Sequence, residues 1–181
     1  TDTEESNRPS EHVMLFIHQA AVVAALRQAG VEPDVVHGTG VGQYTAACVA
    51  GCLCFKDALA MLIRRDNLSR EASDEDLDAF EEYADQFNFY PPNMPLICSV
   101  SGDLVPIHQS PGGRYWRDHL VSEPGDLRST KTLIEQDCDI HLWFSAANEL
   151  SSEPETAMSW FGAETRQDEA PAEFVMKNIL S

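Results

Sequence analysis

Basic residues are scarce in this chain. Twelve Lys and Arg stand against 30 Asp and Glu, so the 181 residues carry a formal net charge of −18. No run of Lys or Arg offsets it locally, and a surface of this sign repels nucleic-acid phosphates and anionic membranes, which excludes both as expected partners. Long apolar runs are missing too, so no segment reads as a membrane-crossing helix. Cysteine is limited to Cys48, Cys52, Cys54, Cys98 and Cys138. An odd number in apolar surroundings reads as the reduced thiols of an intracellular, cytoplasmic protein. Cys52 and Cys54 lie two apart with no second pair or histidine cluster, which argues against a zinc site. No metal and no cofactor is expected. Internal repeats and low-complexity tracts are absent. The sequence also lacks an initiator Met and a basic leader, beginning Thr1-Asp2-Thr3-Glu4-Glu5. It therefore reads as a piece of a longer polypeptide, with residues 1–9 a linker and 10–181 one domain, a length that suits a single core.

Periodicity supplies the elements. Met14, Phe16, Ile17, Ala20, Ala21, Val23, Ala24 and Leu26 recur at helical spacing between Glu11 and Ala29, with Ser10 placed to cap that helix and Gly30 to end it. A turn at Val31-Glu32-Pro33, a short apolar strand from Asp34 to His37, a glycine-rich turn from Gly38 to Gly42 and a helix through Ala50 follow. Strand, tight turn and helix together have the shape of a nucleophile elbow. Further helices are expected over Lys56–Leu68 and Asp74–Gln86, the second with an acidic, solvated face. An aromatic and proline-rich connection spans Asn88–Asn93. A strand is expected over Met94–Val100, helices over Trp116–Leu120 and Leu127–Gln136, a strand over Asp139–Phe144 and a closing helix from Pro171 to Leu180. Alternation of strands and helices predicts an α/β domain with a short parallel sheet flanked by helices.

Five stretches carry a resemblance. They are Gly30-Val31-Glu32-Pro33-Asp34-Val35-Val36-His37-Gly38, Gly42 to Gly51, Phe55-Lys56-Asp57-Ala58-Leu59, Pro95-Leu96-Ile97-Cys98-Ser99-Val100-Ser101-Gly102 and Tyr115-Trp116-Arg117-Asp118-His119-Leu120. In this order they resemble the malonyl-transferase type of acyltransferase domain found in modular polyketide and fatty acid synthases. The resemblance implies the large α/β-hydrolase-like subdomain of that fold. The family's ferredoxin-like small subdomain is missing here, because Arg65 and the next helix are joined almost directly across Asn67–Asp74.

The family's elbow reads Gly-His-Ser-x-Gly, and here those positions are Gly38, Thr39, Gly40, Val41 and Gly42. A hydrogen atom stands where the acyl-accepting serine would be. The base histidine is lost as well, its place being taken by Leu68, Ser69 and Arg70. Arg65 lies where the family keeps the arginine that pairs with a substrate carboxylate, although Arg64 beside it has the same chemistry. Thr39 is a poor substitute nucleophile, since an elbow aims its central residue at the pocket. His37 reads as a core histidine and Cys48 as small core packing, while His12 and His18 show no partner in the sequence. The glycine turn lacks the Lys-Ser/Thr continuation of a phosphate loop.

These losses imply a domain that is no enzyme by itself: a spacer or docking scaffold inside a polyketide synthase whose acyl groups arrive in trans. Its expected partners are the neighbouring ketosynthase and linker, with a trans-acting acyltransferase next. An acyl carrier protein, itself acidic, would need a basic patch around Arg114, Arg117, Arg128 and Lys131. The alternatives are a transferase or hydrolase using Thr39, Ser69 or Cys48 as an unusual nucleophile, and a module that holds an acyl or coenzyme A group through Arg65.

Overall fold

The computed structural model describes residues 9–68, 72–122, 126–138, 140–146 and 159–165. Helix α1 (Glu11–Gln28) starts where the Ser10 hydroxyl accepts the Val13 N–H at 3.1 Å. It ends where Gly30 turns left-handed and Val31 N–H returns to the Leu26 carbonyl at 3.0 Å. Its buried residues Val13, Phe16, Gln19, Val22 and Leu26 recur every three or four positions and form one inward stripe.

Strand β1 (Val36–His37) leads into α2 (Val41–Val49), then α3 (Phe55–Asp66) and α4 (Asp74–Ala84), before β2 (Leu96–Ile97) returns parallel to β1 with Val36 opposite Leu96 and His37 opposite Ile97. The three helices form the crossover that a parallel pair requires. Both strands are shorter than the sequence suggests. The chain leaves β1 at Gly38, which removes the partner that would extend β2. Beyond Ile97 the backbone folds on itself instead, with Cys98 N–H donating to the Asp103 carbonyl at 2.9 Å and Gly102 N–H to the Cys98 carbonyl at 2.8 Å. Val31–Pro33 is irregular rather than a turn.

Helix α4 carries the capping box its sequence encodes: the Ser73 hydroxyl accepts Asp76 N–H at 3.2 Å and the Asp76 carboxylate accepts Ser73 N–H at 2.9 Å. The Ser73 hydroxyl also donates to the Asp76 carboxylate at 2.7 Å, and that bond, with the one from Ser73 N–H, holds the carboxyl below its usual range. Ser73→Ala is expected to lower the midpoint of thermal unfolding by roughly 2–4 °C, measured by circular dichroism.

Helix α5 (Gly113–Val121) packs on α4, and α6 (Asp126–Glu135) follows. The four cations that a basic patch for an acidic carrier would need are each spent on nearby acids. Arg117 pairs with Asp78 at 2.8 Å, Arg114 with Asp118 at 3.2 Å, Arg128 with Asp103 at 2.7 Å and Lys131 with Glu135 at 3.8 Å. His12, for which the sequence offered no partner, meets the Asp66 carboxylate at 2.8 Å.

The core gathers Phe16, Tyr44, Met61, Leu62, Phe80, Leu96 and Trp116, all fully buried, with Tyr44 stacked on Trp116 at a centroid distance of 4.3 Å. A second parallel pair joins β3 (Ile140–Ala146) to β4 (Ser159–Thr165), Ile140 opposite Ser159 and Ala146 opposite Thr165. Strand β4 has no alternation of its own to announce it. The expected helix from Pro171 to Leu180 lies outside the described residues, as do Ser69 and Arg70. Among the described residues, no helix is long and apolar enough to cross a membrane.

Candidate active site

The elbow is built by two glycines with different constraints. A Cβ on Gly38 would lie 2.1 Å from the carbonyl carbon and oxygen of Gly42, so only glycine lets the strand run this close to the first turn of α2. Gly40 adopts φ +52° and ψ −120°, a conformation that L side chains rarely take, yet a Cβ there would meet nothing within 4 Å. The turn is closed by Gly42 N–H donating to the Thr39 carbonyl at 2.8 Å and Gln43 N–H to the Gly40 carbonyl at 3.3 Å. The strand-turn-helix shape thus persists without a side chain at its centre. Thr39 is exposed.

Gly40 opens onto a cavity of about 190 Å³ whose wall includes Arg65, Ser99, His119, Leu120 and Ser122. Four chain regions converge there: the start of α2, the end of α3, the turn after β2 and the last turn of α5. Position separates the two arginines. Arg64 is exposed, with its guanidinium 5.9 Å from the Tyr83 ring centroid, whereas Arg65 reaches the cavity 5.9 Å from the Tyr44 centroid, and its Nη1 is buried with no hydrogen-bond partner among the described residues. Among the described residues, no Asp or Glu lines the cavity.

His119 is 8% exposed and stands edge-on to Tyr44 at 5.9 Å and to Trp116 at 5.7 Å. Burial, assisted by the Arg65 charge, pushes its imidazole down to about 4, so it is neutral at physiological pH. Its Nδ1 is buried with no hydrogen-bond partner among the described residues. Ser99 is 2% exposed. Within the core, Gln43 Nε2 of α2 donates to the Tyr115 hydroxyl of α5 at 2.7 Å and Thr45 Oγ1 of α2 donates to Gln19 Oε1 of α1 at 2.8 Å.

Of the residues singled out from the sequence, Gly40 and Arg65 meet at this cavity, and Thr39, His37 and Cys48 are not in its wall. His37 is only half-buried. Cys48 packs against the core, where burial pushes its thiol up to about 12, a poor nucleophile near neutrality. Leu68 packs against the core as well. Ser99 and His119 were missed as site residues, although both lie inside segments that carry the resemblance. What identifies them is their convergence on one cavity, which sequence spacing does not express.

Comparison with solved structures decides the fold. The chain superimposes on the acyltransferase domain of SpnD, solved in complex with 2-(pent-4-yn-1-yl)malonyl, with a TM-score of 0.75 at 16% identity, covering 96% of this chain and 62% of that one. It has the acyltransferase fold. The acyltransferase domain from the second module of the salinomycin polyketide synthase agrees, with a TM-score of 0.71 at 16% identity over 90% of this chain and 56% of that one. So does the malonyl CoA-acyl carrier protein transacylase of Clostridium perfringens, with a TM-score of 0.61 at 11% identity, covering 71% of this chain and 67% of that one.

In sequence, a polyketide biosynthesis acyltransferase homolog, BaeD of Bacillus velezensis, is 37% identical over 60 residues, which is 33% of this chain and 18% of that protein. The 6-methylsalicylic acid synthase of Aspergillus terreus is 38% identical over 58 residues, 32% of this chain and 3% of that protein. The chain therefore spans under a fifth of these curated relatives and about three fifths of the first two solved domains. No family model matches it. Partial homology and the acyltransferase fold relate the chain to acyltransferase domains of modular polyketide synthases, proteins of many domains.

The same relatives correct one expectation. A chain without the elbow serine was expected to be no enzyme, but the proteins that share its acyltransferase fold and part of its sequence are transferases and synthases.

Proposed function

We propose that this chain is the acyltransferase-like domain of a polyketide-type synthase, and that its cavity receives the carboxylate end of a short acyl thioester on Arg65. One observation carries the reading: a buried guanidinium nitrogen without a hydrogen-bond partner, in a cavity wall with no acid, both among the described residues. A buried donor without a partner is costly, and a carboxylate would offer the guanidinium two parallel charge-assisted hydrogen bonds. His119, held neutral, adds no second charge to compete for the anion.

Calorimetric titration of the 181-residue chain with malonyl- and acetyl-coenzyme A tests this. The malonyl thioester should bind more tightly, Arg65→Ala should weaken it by roughly 10- to 100-fold, and Arg64→Ala should leave it unchanged. Equal affinity for the two thioesters, or an Arg65→Ala variant that binds like the parent, would sink the reading.

A docking role against neighbouring synthase domains is a second reading, supported by α6, which exposes Leu127 at 91% and Ile134 at 40%. The ketosynthase, the linker and a trans-acting acyltransferase are its candidate partners. The internal pairing of Arg114, Arg117, Arg128 and Lys131 argues against an acidic carrier protein. Leu127→Glu in the parent synthase should impair module assembly if α6 docks there.

A further inference from the structure

Two groups with nucleophilic and basic chemistry meet at the cavity, and neither belongs to the elbow. Ser99 follows β2 in a turn whose main chain is pinned on both sides by the bonds from Cys98 to Asp103 and from Gly102 to Cys98. It is 2% exposed and forms part of the cavity wall together with Gly40 and Arg65. His119 enters the same wall from α5, buried and with an unpartnered Nδ1 among the described residues. We propose that Ser99 is the acyl-accepting nucleophile of this domain and that His119 is the base that takes its proton, an inference that rests on the acyl-thioester reading above.

Three features of the site support it. His119 brings to the same wall an imidazole whose buried Nδ1 has no hydrogen-bond partner among the described residues and is open to a proton. With no side chain at residue 40, the volume between the start of α2 and Ser99 is open, so a thioester carbonyl can lie there. Gly42 and Gln43 spend their N–H groups on the Thr39 and Gly40 carbonyls, and with no side-chain cap on α2 the Val41 N–H is the first-turn donor left for a developing oxyanion.

The chemistry balances without an oxidant or reductant. As the Ser99 Oγ–C bond forms at the thioester carbonyl, the hydroxyl proton passes to His119. The tetrahedral oxyanion then collapses, the C–S bond breaks, and the sulfur takes the proton from His119 and leaves as a free thiol. The acyl group remains as an ester on Ser99. An acceptor thiol or water reverses the sequence through the same proton. Ser122 also borders the cavity but caps the end of α5 and is less buried than Ser99, so it serves as the control.

The test uses the full chain and malonyl-coenzyme A, with rapid acid quench, intact mass and peptide mapping. A non-transferable thioether analogue reports binding separately. The expected result is one malonyl adduct on Ser99, absent in Ser99→Ala and retained in Ser122→Ala and Thr39→Ala. Ser99→Cys should restore an adduct as a thioester, which covers the case in which Ser99→Ala disturbs folding. His119→Gln should slow acylation by about 10²–10⁴-fold without loss of analogue binding. Analogue binding with no adduct, or an adduct mapped to another residue, overturns the Ser99 assignment and leaves the Arg65 reading standing. Failure to bind the analogue overturns both.

Discussion

Gly38→Ala is expected to destabilise the domain by at least about 3 kcal/mol, enough to lower its folded yield, while Gly40→Ala two residues on should cost only about 1–3 kcal/mol. The two glycines differ in what constrains them. At Gly38 the obstacle is backbone: the added methyl would sit 2.1 Å from Gly42 and 2.6 Å from the Gln43 nitrogen, and neither can yield without moving the first turn of α2. That turn places Tyr44 against Trp116, so the displacement would reach the core. At Gly40 nothing obstructs a methyl, and the cost is conformational alone, from φ +52°. Chemical denaturation of both variants beside the parent measures the difference; equal losses would show that the elbow is not closed as described. The contrast also predicts that Gly40→Ser folds and places a hydroxyl in the cavity.

A loss of about 3 kcal/mol is expected between pH 6.5 and 4 from His119 alone, because its folded imidazole titrates near 4 against 6.5 in the unfolded chain. Between those values the unfolded state binds more protons, so stability rises with pH through this window and is flat for this group above it. Desolvation is the larger cause and the Arg65 charge the smaller; Tyr44, the other titratable group facing the ring, is itself held protonated by burial. Denaturation midpoints across this range, compared with those of His119→Phe, isolate the effect from the many carboxylates that also titrate. Parallel curves for the two proteins would mean that the imidazole is solvated.

Much of the architecture was legible. Helix α1 could be read from its apolar stripe and from Ser10 and Gly30, because caps and periodicity are local properties of a helix. The elbow could be read because Gly38 and Gly42 answer to a contact between residues four apart. The lengths of β1 and β2 could not, since a strand lasts only as long as its neighbour, and β4 acquires its definition from β3. The same distinction governs the site. From the sequence came the missing side chain at residue 40 and a pair of adjacent arginines. Which arginine reaches the cavity was decided by the rotation of α3 against α2, and the presence of Ser99 and His119 in one cavity wall by where α5 and the turn after β2 lie. Residues 20 apart in sequence converge there because burial of Tyr44 and Trp116 draws those elements together, a constraint carried by the core and not by any local motif.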